Sequence, residues 1–391
     1  MKNNIWWDLR WSKRFLSELF ENFRTGKNSI IYLPEFFIND LDSILRINIE
    51  TIYRDKFSRT WYSLDLNSVK NNSDSPINIV SQYFDLNSRN IKFIVDNKMF
   101  MDKIIWIPCI NNNLWQNWKE FIEEYADYCR NHGESDRDTI FCIKLQGNNK
   151  FDFPSNPIIK NYTWQDYVIK QKLIDDIFDI YFFTASIFNK NFSGLKKKLI
   201  ISTIAHLALW DPEVSDRLMD NGDIENPFPV LENIAKERKW DSIDSNSSEA
   251  WDKGIKNRID GKEKIHSAYL AIQKGIQELN IRIWNAQMEV LLPFIEQKRK
   301  ELLDKLINQL KPPFSVKRDG ETVSLNNIYD LRIGDIPWQI TEKEKKSEYF
   351  RYSNDAKFVK KSATILSSIR NALAHIEPLN EELMQQLQDV I

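Results

Sequence analysis

The segment from Arg370 to His375 combines a cationic side chain with a proton-exchanging one at the end of an apolar, helix-like stretch. An imidazole takes up and releases protons near neutral pH, so it can act as a general base. A guanidinium can hold two phosphate oxygens at once. His375 could therefore accept the proton of an RNA 2′-hydroxyl while Arg370 holds the phosphate, a reaction that needs neither a metal ion nor another cofactor.

The helix that carries these side chains constrains how they can act together. Apolar residues at helical spacing predict a helix from about Asp355, and the Glu377-Pro378 pair should end it at about His375. On an ideal helix Arg370 and His375 lie about 140° apart around the axis and about 7.5 Å apart along it. Distortion at the helix end, or a second subunit, must therefore bring the two side chains together.

The run Arg370-Asn371-Ala372-Leu373-Ala374-His375 resembles the Arg-polar-x3-His motif that ends a helix in HEPN ribonucleases, and the likeness covers about residues 250 to 391. This resemblance implies an all-α HEPN-like bundle with a small β insertion. It also implies a metal-independent endoribonuclease that acts on RNA. The angular separation of Arg370 and His375 favours a homodimer, or a larger complex, joined through the C-terminal domain, because a second helix would then complete the site. Arg370, Asn371 and His375 would be its catalytic residues, with Asn371 positioning the others.

A structural role for the same residues is the alternative. An Arg-His helix end can cap its helix and pair with Asp or Glu across a bundle, which would leave a non-catalytic binding subunit. The other histidines do not compete for the role of general base: His206 has the setting of a core residue, His132 lies in a polar loop, and His266 is expected on a helix. No His, Asp and Glu residues have the spacing of metal ligands.

The N-terminal part alternates β-like runs with helical stretches, which predicts an α/β domain with a mainly parallel sheet. The segment from Lys103 to Leu145 should form a strand-helix-strand unit. The candidate strands are Ser29 to Leu33, Thr60 to Leu64, Ile91 to Val95, Lys103 to Cys109 and Thr139 to Leu145.

The Gly26-Lys27 pair is not a phosphate-binding loop, because it precedes its strand, whereas such a loop follows the strand and opens a helix. The layout of residues 1 to 240 nevertheless resembles an AAA+ or STAND nucleotidase that has lost its site. Joined to a HEPN-like domain, it implies a bacterial anti-phage defence protein with a non-hydrolysing sensor domain and protein partners in a defence complex.

Three segments are expected: a degenerate nucleotidase-like domain over 1–160, a helical lid or middle module over 161–245, and a HEPN-like domain over 246–391. The main boundary falls near Ser245, in a polar connection. Residues 262–310 should be almost continuous helix, kinked or split at Pro293. A short β-like insertion should follow from Phe314 to Val323, with a turn at Asp319-Gly320.

Composition limits the possible partners and compartment. The 391 residues favour two or three domains, and 54 Lys and Arg against 56 Asp and Glu give a net charge of −2. No bulk positive field draws this chain to RNA, so contacts with RNA must be local. Without a membrane span or a signal peptide, we expect a cytoplasmic protein whose cysteines, Cys109, Cys129 and Cys142, are reduced.

Overall fold

The computed structural model describes residues 5–32, 41–52, 59–64, 66, 75–87, 89–96, 100–110, 112–133, 137–145, 151–163, 176–221, 226–259, 262–318 and 320–390. The chain forms two compact units, each built from two separate stretches. The first unit contains Met1–Asp179 and Ala235–Tyr269, and the second contains Ile180–Ile234 and Leu270–Ile391. These bounds differ from the three consecutive segments expected from the sequence, since the helices over 180–234 group with the C-terminal helices.

A five-stranded parallel sheet forms the centre of the first unit, in the order β2-β3-β4-β1-β5. The predicted α/β class with a parallel sheet is therefore confirmed for this unit. Strands covered on both faces are nearly continuously apolar, as in β4, where five of six residues are buried and Lys144 is the exception. The strands are β1 Asn28–Tyr32, β2 Thr60–Ser63, β3 Lys103–Ile110, β4 Ile140–Leu145 and β5 Ile159–Thr163.

Helix α5 packs against the sheet through an aromatic stripe. Trp118, Phe121 and Tyr125 are buried at helical spacing, and the rings of Phe121 and Tyr125 lie 5.1 and 4.9 Å from that of Phe141 on β4. The predicted strand-helix-strand unit between β3 and β4 is thus confirmed. The helices of this part are α1 Arg10–Arg24, α2 Leu41–Ile47, α3 Pro76–Tyr83, α4 Ile91–Asp96 and α5 Asn112–Asn131, with a π-helical turn at Asn48–Ile52.

One strand prediction was wrong, and one strand was missed. The run from Ile91 to Val95 is helix α4, in which Ile91 and Ile94 are buried three residues apart, and β5 was not predicted at all. The second stretch of the first unit contains α10 Glu249–Asp252 and the antiparallel strands β6 Lys256–Ile259 and β7 Lys262–Ile265, and α11 Ser267–Ile272 runs across the boundary at Tyr269. The helix predicted from Lys262 therefore begins as a strand.

The second unit is helical with one β-hairpin. Helix α12, Ile276–Leu306, continues through Pro293, so of the predicted kink or split the split is absent. The predicted β insertion is present as β8 Phe314–Arg318 and β9 Glu321–Leu325, although Asp319 lies outside the described residues. A 3-10 turn follows at Ile328–Asp330. The other helices are α6 Asp176–Ser186, α7 Gly194–Ala208, α8 Pro212–Asn221, α9 Phe228–Glu237, α13 Asp335–Lys346, α14 Glu348–Arg351, α15 Asn354–Ala374 and α16 Glu381–Gln388.

One apolar core joins the elements of the second unit. Leu291, Leu303 and Leu306 of α12 are fully buried against α15, whose Val359, Leu366 and Leu373 are buried as well. Val359, Leu366 and Leu373 recur at seven-residue intervals, about two helical turns, which keeps one face of α15 inward. Among the described residues, no helix is long and apolar enough to cross a membrane.

Candidate functional site

Helix α15 carries the predicted motif at its C-terminal end. Its first turn is capped by the Ser353 hydroxyl, which accepts a hydrogen bond from the amide of Ala356. Its last helical residue is Ala374, and His375 is the C-cap with φ −90° and ψ 7°. The predicted end of this helix at about His375 is therefore confirmed.

Residues of α12 and the backbone itself satisfy the end of α15. The indole Nε1 of Trp284 donates to the carbonyl of Leu373 at 2.6 Å, and the side-chain oxygen of Gln287 accepts from the amide of Leu379 at 2.8 Å. Ile376 adopts φ +61° just after the cap, and its amide donates to the carbonyl of Leu373 at 3.3 Å. The helix end is thus held without any side chain of the motif.

The side chains of Arg370, Asn371 and His375 are all exposed. Within the part of the chain that the structure describes, none of them makes a side-chain hydrogen bond or an ion pair. This arrangement differs from the structural alternative, in which Arg370 and His375 would pair with carboxylates across the bundle. The fold places these three polar side chains on its surface without using them.

The motif residues point in two directions. Arg370 lines a cavity of about 330 Å³, whereas Asn371 and His375 are not among its lining residues. Asn371 and His375 are four positions apart, which separates them by only about 40° on a helix. One protomer therefore brings Asn371 and His375 to one side of α15 and Arg370 to another.

The cavity beside Arg370 lies between α12, the 3-10 turn at 328–330 and α15, all within the second unit. Leu292, Ile295, Leu331 and Ile333 supply its apolar wall. Its polar lining consists of Glu296, Arg299, Tyr329, Asp330, Arg332 and Arg370. Sequence reasoning singled out only Arg370 among them.

Arg299 fixes the turn against α12. Its Nε and Nη2 donate to the two carboxylate oxygens of Glu296 at 2.8 and 2.6 Å, while Nη1 donates to the carbonyls of Tyr329 and Leu331 at 2.7 and 2.8 Å. The hydrogen bond from Arg299 lowers the pKa of Glu296, and the same contact raises the pKa of Arg299. Arg299 is therefore committed to the fold, with only 12% of its side chain exposed.

Arg332 shares the cavity with Arg370 but is held differently from Arg299. Its backbone amide donates to the carboxylate of Asp335 at 2.8 Å, which anchors the main chain. Its side chain is exposed and, like that of Arg370, has no hydrogen-bonding or ion-pair partner among the described residues. No sequence signal would have found this pair, because 37 intervening positions separate the residues and only packing brings them to one cavity.

The remaining histidines have structural settings. The Nε2 atom of His206 lies 3.0 Å from a carboxylate oxygen of Glu289, which agrees with its interpretation as a satisfied core residue. His266 was expected on a helix but lies in the connection before α11. There its buried Nδ1 accepts a hydrogen bond from the amide of Ala268 at 3.1 Å. The helix-like spacing around His266 instead belongs to α11, which this imidazole caps.

Gly26-Lys27 lies immediately before β1, as the sequence predicts. The residues after β1, 33–40, lie outside the described part of the chain, as do Asn111 after β3 and 146–150 after β4. Among the described residues, no group of three or more His, Cys, Asp or Glu side chains could hold a metal ion. No protein-family model matches this sequence, and no curated protein is significantly similar to it.

Proposed function

We propose that this chain is a metal-independent endoribonuclease of the HEPN type, in which His375 and Arg370 act on an RNA phosphodiester and Asn371 positions the substrate. One observation carries the proposal: the fold exposes all three side chains and uses none of them for capping or pairing in its described part. Polar side chains without a structural task at a packed helix end are available for a ligand.

The chemistry requires a base and a cation. His375 takes the proton of the 2′-hydroxyl, and the resulting oxygen attacks the adjacent phosphorus. The bond from phosphorus to the 5′-oxygen breaks, and that oxygen takes up a proton from water or from a second imidazole. Arg370 stabilises the charge that builds up on the phosphate oxygens. The products are a 2′,3′-cyclic phosphate and a 5′-hydroxyl.

A second copy of the chain completes the proposed site. Because Arg370 and His375 lie on different sides of α15, a two-fold dimer formed through the C-terminal helices would place one copy's imidazole near the other copy's guanidinium. Light scattering at micromolar concentration should report a dimer or a larger complex. A monomer that still cleaves RNA would rule out this arrangement.

Cleavage of a labelled RNA by the full chain tests the proposal. His375→Ala and Arg370→Ala should each lower the rate roughly 10²- to 10⁴-fold, and Asn371→Ala should lower it less. Cleavage should persist in EDTA, leave a 2′,3′-cyclic phosphate and fail on a 2′-deoxy substrate. The matched controls are His132→Ala and Arg351→Ala, which remove an exposed histidine and an exposed arginine elsewhere. Cleavage of the RNA by the His375→Ala variant at the wild-type rate would refute the proposal.

A non-catalytic binding subunit of a multi-protein defence complex is the second candidate. The observation that favours it is the separation of Arg370 from His375, since the cavity that Arg370 lines does not include His375. The net charge of −2 also gives RNA no general attraction to the chain. Stable association with partner proteins, together with no cleavage of any RNA by the wild-type dimer, would favour this candidate.

For the first unit we propose a sensor that controls the C-terminal domain without hydrolysing ATP, and the defence context rests on the resemblance alone. The position of Gly26-Lys27 before β1 supports the absence of hydrolysis, because their amides do not open a helix after a strand. Phosphate release from ATP should stay at the level of a matched blank. Release above it that is abolished by Lys27→Ala would contradict this role.

A further inference from the structure

The cavity beside Arg370 carries more positive than negative charge. Its lining residues include three arginines, Arg299, Arg332 and Arg370, and two acidic residues, Glu296 and Asp330, so their formal charges sum to 3 − 2 = +1. Both oxygens of Glu296 already accept from Arg299. The two remaining guanidiniums are the exposed ones, and neither has a partner among the described residues.

We propose that this cavity binds a backbone phosphodiester of single-stranded RNA, with Arg332 as a second phosphate-holding residue beside Arg370. The proposal rests on the proposed function, because it assumes an RNA substrate, and it adds a residue and a subsite to that function. The ligand class follows from the charge: a phosphodiester carries one negative charge, which balances the net +1 of the lining. Guanidiniums also match the oxygens of a phosphate in geometry.

The size and shape of the cavity suit such a ligand. Its volume of about 330 Å³ lies at the lower end of the roughly 300–1,000 Å³ that ligand sites occupy. Tyr329, whose residue surface is 40% exposed, lies in the wall, and its hydroxyl is hydrogen-bonded to Asp304. An aromatic ring beside paired cations is the combination with which proteins hold single-stranded nucleic acid.

The two arginines are mounted on separate, fixed elements. Arg370 lies on the last turns of α15, directly after the buried Ile369 and five residues before the C-cap, His375. Arg332 follows the 3-10 turn, which Arg299 ties to α12 through two carbonyls, and its own amide is bound to Asp335. Arg299 holds the turn that precedes Arg332, and its own nitrogens are occupied by Glu296 and the two carbonyls. It therefore positions Arg332 and does not itself bind the ligand.

Binding of an uncleavable ligand tests this inference apart from catalysis. The probe is a fluorescent single-stranded 2′-O-methyl RNA, and its affinity for the full chain is measured by anisotropy over a range of salt concentrations. Arg332→Ala and Arg370→Ala should each weaken binding roughly tenfold or more. Each should also reduce the slope of log affinity against log salt by about 0.7, the value expected when the protein neutralises one phosphate fewer on a single strand.

Two further variants give the opposite and the neutral outcomes. Asp330→Asn removes a negative charge from the lining and should tighten binding several-fold, while Arg351→Ala, an exposed arginine outside the cavity, should change neither the affinity nor the slope. Arg332→Glu should weaken binding more than Arg332→Ala. This ordering depends on charge in the cavity and would not follow from a general loss of folding.

The results separate this inference from the ribonuclease proposal. If Arg332→Ala binds the probe as tightly as the wild type while Arg370→Ala does not cleave RNA, the subsite is refuted and the ribonuclease stands. If the wild type cleaves no RNA but binds the probe in an Arg332-dependent manner, the ribonuclease fails and the phosphate site stands. No binding of the probe by the wild type refutes the subsite.

Discussion

Replacement of Arg299 by methionine should destabilise the second unit by about 1–4 kcal/mol. The change removes the hydrogen bond to the carbonyl of Leu331, a fully buried residue, and an unpaired buried carbonyl costs about 1–3 kcal/mol. The carbonyl of Tyr329 is nearer to solvent, so water replaces part of its hydrogen bond. The ion pair with Glu296, whose side chain is 54% exposed, adds about 0–1 kcal/mol.

Urea unfolding of the full chain, followed by the loss of helical circular dichroism, measures this difference. Lys298→Met is the matched control, because Lys298 is the neighbouring residue on α12 and pairs with Glu301 at 3.0 Å, three positions away, but holds no backbone carbonyl. It should cost about 0–1 kcal/mol. Equal losses in the two variants would show that the carbonyl contacts of Arg299 do not hold the turn, and Arg299 would then have no positioning role.

Three further outcomes follow from the end of α15 and from the pair on α12. Ile376→Gly should raise the free energy of unfolding by about 1 kcal/mol, because a β-branched residue is strained at φ +61° and glycine is not. Ile376→Ala should gain much less. A loss of stability in the glycine variant would contradict this reason. Gln287→Leu should cost about 1–3 kcal/mol by leaving the buried amide of Leu379 unpaired, whereas Gln287→Glu, which keeps an acceptor, should cost less in the same unfolding assay. Arg299 lowers the pKa of Glu296 below its usual 4.5, so the stability that this ion pair contributes is fully present above pH 4.5 and is lost as the pH falls through the pKa of Glu296 in the folded protein. The stability difference between the wild type and Arg299→Met should therefore shrink below about pH 4.5. A difference that stays constant would count against a stabilising ion pair.

Periodicity predicted the long elements of this fold and failed on the short ones. The buried positions of α5 and α15 repeat over many turns, so their pattern is unambiguous, and four of the five predicted strands are present. In α4 only Ile91 and Ile94 are buried, and a six-residue segment with four apolar residues fits either a strand or a helix. Strand β5 includes Lys160 and Asn161 and pairs only with β1, at the sheet edge, where an apolar run is not required.

A turn signal was available where the helix from Lys262 was predicted. Asp260 and Gly261, which lie outside the described residues, separate Ile259 at the end of β6 from Lys262 at the start of β7. Two residues of the type Asp-Gly between paired strands favour a hairpin. The continuous apolar spacing further along the chain outweighed this local signal, although it belongs to α11 and α12.

The candidate site was only partly accessible from sequence. The helix end at His375 followed from Glu377-Pro378, and the angular separation of Arg370 and His375 followed from helix geometry. The cavity beside Arg370 did not, because its lining comes from α12, a turn and α15, which only tertiary packing brings together. Single-position reasoning cannot anticipate a pair such as Arg332 and Arg370.

The two units alternate along the chain, and this order affects how the protein folds during translation and which fragments of it can be expressed. Helix α7, buried on nearly every side, is synthesised more than 60 residues before α12, its main packing partner, while part of the first unit is still to come. During translation the early helices therefore leave the ribosome with apolar surface that only the last third of the chain covers. For the same reason a fragment of residues 270–391 would expose the α7-facing side of α12 and should aggregate, so co-expression with residues 180–234 would be needed to obtain the second unit by itself.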